Sequence, residues 1–158
     1  MAELAYISLG SNVGERAETL MAALEAIDSA DGVIVGAMSQ MIETEPVGGP
    51  EGQGKYINAA AQLIVEIAPD ELLSLLQRIE RTLGRCREQE QRWGPRTCDL
   101  DILLFGEVVM DTPELTIPHP RMHQRVFVLA PLAQIAPDAL HPVLGRTIAE
   151  LLAEAEGR

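Results

Sequence analysis

Apolar side chains recur along this chain with two periods, one of about two residues and one of about 3.6, and the switches between them lay out the elements. Residues 4–9, Leu-Ala-Tyr-Ile-Ser-Leu, predict a buried strand that closes in a turn at Gly10-Ser11-Asn12. Residues 15–30 predict a helix, because Ala17, Leu20, Met21, Leu24 and Ile27 repeat on one helical face. Asp31-Gly32 ends it, and residues 33–42 predict a second strand. A long glycine-rich loop from Glu43 to Lys55 precedes a third strand over 56–67, rich in Ile, Leu, Val and Ala. Pro69 suits the first turn of a second helix, with Asp70 and Glu71 complementing its positive end. Leu72, Leu75, Leu76, Ile79 and Leu83 form the apolar stripe of that helix, and Gly84 sits where its C-terminal cap belongs. After an arginine-rich loop over 84–98, residues 99–105 predict a fourth strand, turning at Gly106-Glu107 into a short partner at Val108-Val109-Met110.

The order strand, helix, strand, strand, helix, strand is that of the ferredoxin-like split unit, an α+β fold with helices packed on an antiparallel sheet. A helix over 125–136, adjusting around Pro131, and a last helix opened by a capping box at Thr147-Ile148-Ala149-Glu150 extend it. No repeat or linker interrupts the pattern, so one domain over 1–158 is expected.

Composition narrows the function. Hydrophobic residues make up 47% of the 158, enough for a core, yet no stretch approaches the ~20 apolar residues of a membrane helix. No basic segment followed by an apolar one opens the chain, which favours the cytoplasm and free thiols at Cys86 and Cys98. A formal net charge of −12 argues against nucleic acid as a partner. The positive charge is concentrated: Arg81, Arg85, Arg87, Arg92 and Arg96 crowd one segment, opposed there only by Glu88 and Glu90. Such an island suits a small polyanion, since arginine makes bidentate phosphate contacts, although clustering alone is equally compatible with arginines that balance surface acids.

Two glycine motifs imitate nucleotide loops. Gly49 to Lys55 satisfies most of G-x-x-x-x-G-K, but Tyr56 replaces the magnesium-holding Ser/Thr and the segment leads into a strand, not a helix. A flexible lid or substrate loop is the better reading. Gly10-Ser11-Asn12-Val13-Gly14 lacks the full dinucleotide pattern, and a tight strand-to-helix turn explains it.

Chemistry concentrates in Arg92-Trp93-Gly94-Pro95-Arg96-Thr97-Cys98-Asp99-Leu100-Asp101. On a strand Asp99 and Asp101 share one face, with Leu100 and Ile102 on the other. Two adjacent carboxylates repel unless a cation lies between them, and magnesium takes one or two carboxylates plus substrate phosphates. Alone, D-x-D is also what an exposed sheet edge carries. Beside an arginine loop it becomes half of a phosphoryl-transfer site. Pro118-His119-Pro120-Arg121-Met122-His123-Gln124-Arg125 predicts an ordered turn before a helix, in which His119 and Arg125 can bind phosphate or support the metal site, with His123 at the surface and His141 structural. Tyr56 and Asn58 share a strand face, an aromatic plane beside an amide, which suits a flat heterocycle as well as an ordinary strand. Trp93 in a polar loop is costly unless it packs on something.

These segments resemble, in order, the hydroxymethyl-dihydropterin pyrophosphokinase family: Tyr6 through Asn12, Tyr56-Ile57-Asn58-Ala59, Gln77-Arg78-Ile79-Glu80, Arg92 through Asp101, and Pro118-His119 through Arg125-Val126-Phe127. The resemblance covers residues from about 4 to 138, and it implies a ferredoxin-like core that binds ATP with two magnesium ions and then the pterin. It implies that the substrate hydroxyl attacks the β-phosphorus of ATP and that AMP leaves. It implies that Asp99 and Asp101 hold both ions, and that Arg85 and Arg96 stabilise the transferring phosphates, with Arg87 and Arg92 in the same loop. Gln77, Glu80, Trp93, Ile102, Thr116, His119 and Arg125 are the implied ATP contacts. Tyr56 and Phe127 would sandwich the pterin, Asn58 would bond its edge, and Thr44, Val47 and Trp93 would complete the pocket. Glu45 stands where many members show proline, and Glu114 and Pro120 stand where some members place ATP contacts, so no contact is carried onto them. Small-molecule substrates and a monomer are expected. A nucleotidyl transferase on the same scaffold would move AMP instead of pyrophosphate, and a ligand-sensing module would need neither the carboxylates nor the arginines.

Overall fold

The computed structural model describes residues 2–12, 15–44, 55–83 and 98–157. The elements run β1 (Glu3–Ser11), α1 (Arg16–Asp28), β2 (Val33–Met38), β3 (Ile42–Thr44), β4 (Tyr56–Val65), α2 (Pro69–Thr82), β5 (Asp99–Phe105), β6 (Met110–Asp111), β7 (Thr116–Ile117), a 3-10 turn (Met122–Gln124), α3 (Val126–Ile135) and α4 (Ile148–Glu156). The main sheet has the order β2-β4-β1-β5, all antiparallel, with β3 also on β4. With α1 and α2 on one face this is the ferredoxin-like α+β arrangement read from the pattern.

Alternation assigns the faces. Ala5, Ile7 and Leu9 of β1, Ala59, Ala61 and Leu63 of β4, and Leu100, Ile102 and Phe105 of β5 bury against the apolar stripes of α1 and α2. Tyr6, Ala60, Leu103 and Leu104 point the other way, into a second core with Met122, Leu129, Leu132, Ile148 and Leu151. Among the described residues, this second core covers only part of its face. The same face continues, along the strand directions, to Asn58, Gly10 and Asp99.

Three local expectations are revised. Gly10-Ser11 is not a turn: β1 runs to Ser11, because Gly10 and Ser11 are still paired with Asn58 and Ile57 of β4. The strand expected over 33–42 breaks in two. Met38 pairs with Ala61 and Ile42 with Asn58, four residues against three, and Ser39 fills the irregularity by accepting the Ala60 N–H on its Oγ at 2.8 Å. The short strand after Gly106 forms at Met110–Asp111 but pairs with β7, not with β5. Gly106 does turn the chain as expected, with φ of 53°, where a Cβ would strike the Glu3 carboxylate.

The helix ends follow the sequence. The Glu71 carboxylate accepts the Ala68 N–H at 3.0 Å behind Pro69. Thr147 and Glu150 bond each other's backbone N–H groups, the reciprocal box expected at α4. Pro131 lies buried inside α3 and supplies no N–H to the Phe127 carbonyl one turn earlier.

Candidate functional site

The carboxylates of β5 are placed by its register on β1. Asp99 lies opposite Gly10 and Asp101 opposite Ser8, so both project from the face away from α1 and α2, as the alternation required. Asp101 is exposed and Asp99 half-buried. Between them the Leu100 N–H points off the open edge of the strand, where Glu80 of α2 accepts it at 2.9 Å. Glu80 is only 5% exposed, so its carboxylate seals the strand edge beside the site. That places Glu80 against the backbone of β5.

A bulge in β5 aims the next group. Tyr6 pairs with Leu104 but Ile7 with Ile102, so Leu103 is an extra residue without a partner in β1. Its carbonyl instead accepts the His119 N–H at 3.0 Å. His119, which follows the cis Ile117–Pro118 peptide, is thereby held beside Asp101. Its Nδ1 accepts the Arg121 N–H at 3.2 Å, leaving Nε2 to carry the proton of the neutral ring. Burial lowers the His119 pKa first of all. Asp101 opposes that shift, and Arg125 and Arg121 reinforce it.

A cleft of about 220 Å³ runs along the outer edge of β5, between α2 and the 112–120 segment. Of the residues implied for ATP, Ile102, Thr116 and His119 line it, together with Asp101, implied for the metal. Leu73 of α2, Glu114 and Pro120 line it too, and sequence reasoning did not assign them. Leu73 carried a signal: it is an apolar residue outside the buried stripe of α2, four residues before Gln77 and so on the same side of the helix. Gln77 remains partly exposed there.

The amide half of the site lies across β1. Asn58 is opposite Gly10 on its other side, and Asn58 Nδ2 donates to Thr44 Oγ1 of β3 at 2.7 Å. Thr44 is paired with Tyr56, so Tyr56, Asn58 and Thr44 share this face. Phe127 sits near the start of α3, half-buried, with the Arg125 guanidinium carbon 5.7 Å from its ring centroid. The Arg16 guanidinium donates to the Lys55 carbonyl at 2.6 Å and pairs with Glu43 at 3.4 Å, clamping the start of α1 to the ends of β3 and β4. Val47, Arg85, Arg87, Arg92, Trp93 and Arg96 lie outside the described residues. His123 is half-buried against His141, ring centroids 6.5 Å apart, and not at the surface as expected. His141, 4% exposed, is structural as expected: its Nδ1 accepts the Val143 and Leu144 N–H groups.

Among the described residues no cluster of three or more His, Cys, Asp or Glu side chains forms a metal site. The pair on β5 suits a hard divalent ion that takes its other oxygens from phosphates and water.

A family model described as 7,8-dihydro-6-hydroxymethylpterin-pyrophosphokinase matches residues 6–137. The 2-amino-4-hydroxy-6-hydroxymethyldihydropteridine pyrophosphokinase of Bacillus subtilis is 49% identical over 135 residues, covering 85% of this chain and 79% of the relative. The protein of the same name from Pseudomonas aeruginosa is 46% identical over 153 residues, covering 97% and 92%. In fold, the chain matches a crystal structure of a triple mutant of Plasmodium falciparum HPPK-DHPS with pteroate, with a TM-score of 0.77 at 14% identity. That match covers all of this chain and 42% of the longer one. This chain belongs to the 7,8-dihydro-6-hydroxymethylpterin-pyrophosphokinase family.

Proposed function

We propose that this chain transfers pyrophosphate from ATP to the hydroxymethyl group of 6-hydroxymethyl-7,8-dihydropterin, releasing AMP, in folate synthesis. Family membership supports the reaction, and one observation carries the site: Asn58 and Asp99 flank Gly10 on a single sheet face. A heterocycle held at Asn58 has its reactive arm directed at the carboxylates, and the β5-edge cleft holds the nucleotide beside them.

Asp99 and Asp101 are the residues that would hold magnesium, two ions in the reading implied by the resemblance. Bound there, the metal would neutralise phosphate charge and favour the alkoxide form of the substrate hydroxyl. The protein's own part is positioning. Glu80 and the Leu103 bulge fix the strand that carries the carboxylates. His119, neutral and donating through Nε2, offers a hydrogen bond to a phosphate oxygen without the desolvation cost of a buried cation. Gln77, Glu80, Ile102, Thr116 and Arg125 complete the nucleotide side. Thr44, Tyr56, Asn58 and Phe127 form the pterin side. Arg85, Arg87, Arg92, Arg96, Trp93 and Val47 are assigned from the resemblance alone, Arg85 and Arg96 to the transferring phosphates. The working unit is one domain over 1–158, monomeric and cytoplasmic. No described helix is long and apolar enough to cross a membrane.

The test is to mix the purified protein with ATP, magnesium and 6-hydroxymethyl-7,8-dihydropterin and assay AMP. AMP that requires both magnesium and the pterin, and disappears in Asp99→Ala, supports the reaction and the site together. ADP or free pyrophosphate instead would identify another transferase, and tight binding without turnover a sensing module.

A further inference from the structure

Gly10 sits in a central strand, with Asn58 opposite it on β4 and Asp99 opposite it on β5. Residues opposed across antiparallel strands share a face, so a side chain at Gly10 would stand between the amide and the carboxylate. Neighbouring strands lie ~4.8 Å apart, which puts the Asn58 and Asp99 backbones roughly 10 Å from one another with only the Gly10 backbone between.

Nothing in the backbone asks for glycine there. The described glycines with positive φ are Gly32, Gly106 and Gly145, and Gly10 is not among them. Nor does the packing of the described residues demand it, although Gly10 is buried. Among the described residues, a Cβ built on Gly10 comes no nearer to backbone than 3.8 Å, at the Ile57 carbonyl, and also lies 3.8 Å from Tyr56 Cδ1. Its one tight neighbour among them is Asn58 Oδ1 at 3.3 Å. Glycine inside a strand costs stability and packs nothing, and it marks places where a ligand or another chain comes close. The two side chains a Cβ would approach, Asn58 and Tyr56, are both among those assigned to the heterocycle.

We propose that Gly10 is a specificity-determining residue: its bare backbone is the floor across which the substrate's hydroxymethyl arm passes from the Asn58 amide to the Asp99–Asp101 carboxylates. A side chain there closes the passage to the heterocycle and leaves the β5-edge cleft, which Gly10 does not line, open to nucleotide. The inference rests on the pyrophosphokinase reading above.

The experiment compares wild type, Gly10→Ala and Gly10→Val by calorimetry. Binding of 6-hydroxymethylpterin is measured in the presence of magnesium and α,β-methylene-ATP, and binding of the nucleotide analogue is measured alone. Expected is a graded loss of pterin affinity, with valine worse than alanine and reaching about ten-fold or more, the scale of one overpacked contact. The analogue's affinity should change by less than about two-fold, well under the ten-fold that one such contact commands. Unchanged pterin affinity in both variants overturns the proposal. So does parallel loss of analogue and pterin with a lowered melting temperature in Gly10→Ala, which would make the glycine a folding requirement. Wild-type protein that binds the analogue but no pterin would instead remove the functional reading on which the proposal rests.

Discussion

Asn58 Nδ2 donates to Thr44 Oγ1 at 2.7 Å, fastening an amide on β4 to a hydroxyl on β3. The bond fixes the plane of the amide that faces Gly10. Thr44→Val keeps the shape and removes the acceptor. The expected outcome is a rise in KM for the pterin of about 2- to 10-fold, the value of one neutral hydrogen bond, with KM for ATP unchanged. Steady-state kinetics with each substrate varied in turn measures both.

Asp99→Asn and Asp101→Asn test the carboxylate pair with little change of shape. Each should lower kcat by about 10²- to 10³-fold, as when one preorganised electrostatic group is removed, and raise the magnesium concentration needed for half-maximal rate. Magnesium titration of the residual activity separates a lost ligand from a lost fold. A variant with a normal magnesium requirement would relocate the metal.

Glu80 is tested through stability as well as rate. Its carboxylate accepts the Leu100 N–H at 2.9 Å in a site 5% exposed. Glu80→Ala leaves that donor buried without this acceptor and should cost about 1–3 kcal/mol in urea unfolding. Glu80→Gln keeps an acceptor and should recover most of the loss. Equal losses in both would show that charge, not the hydrogen bond, is what the position needs.

Acid should weaken the fold through His141. Burial lowers its pKa, with His123 adding to the shift, and Nδ1 already accepts two N–H groups, so protonation must displace them. A histidine depressed in the folded state stays neutral while the unfolded chain takes up its proton. Stability is therefore full above the ordinary value of about 6.5 and is lost as pH falls from there through the folded pKa. His141→Asn offers an oxygen to the same N–H groups and does not titrate. Its unfolding free energy should fall less steeply between pH 7 and 5, by up to about 1.4 kcal/mol per pH unit, the limit for one proton. His119, whose pKa is also lowered, keeps part of the slope in both proteins.

Much of this was legible along the chain, and the reasons differ by residue. Asp99 and Asp101 interrupt an apolar strand at period two, so their shared face follows from the pleat. Tyr56 and Asn58 were readable in the same way. The Thr147–Glu150 box is a local signal and appeared where it was read. The end of β1 is not legible locally, because Gly10 and Ser11 have turn composition, while their pairing to Asn58 and Ile57 is a long-range fact that no local window holds. The split of the 33–42 strand depends on one serine hydroxyl bonding across to Ala60. The β5-edge cleft takes Leu73 and Glu114 from segments that meet only in three dimensions. Arg85 and Arg96 are assigned by likeness to the family alone, and they lie outside the described residues.

The extra residue in β5 sets the parity of the strand. Without Leu103, residues 99–105 would alternate strictly, carboxylates and Leu104 on one face, Leu100, Ile102 and Phe105 on the other. With it, one further leucine enters the second core and the phase of the strand slips between the site and the C-terminal end. The two ends of β5 therefore answer to different arithmetic. A residue gained or lost near 103–104 changes how the C-terminal layer is filled, while the same change between 99 and 102 would exchange aspartates for leucines on the site face.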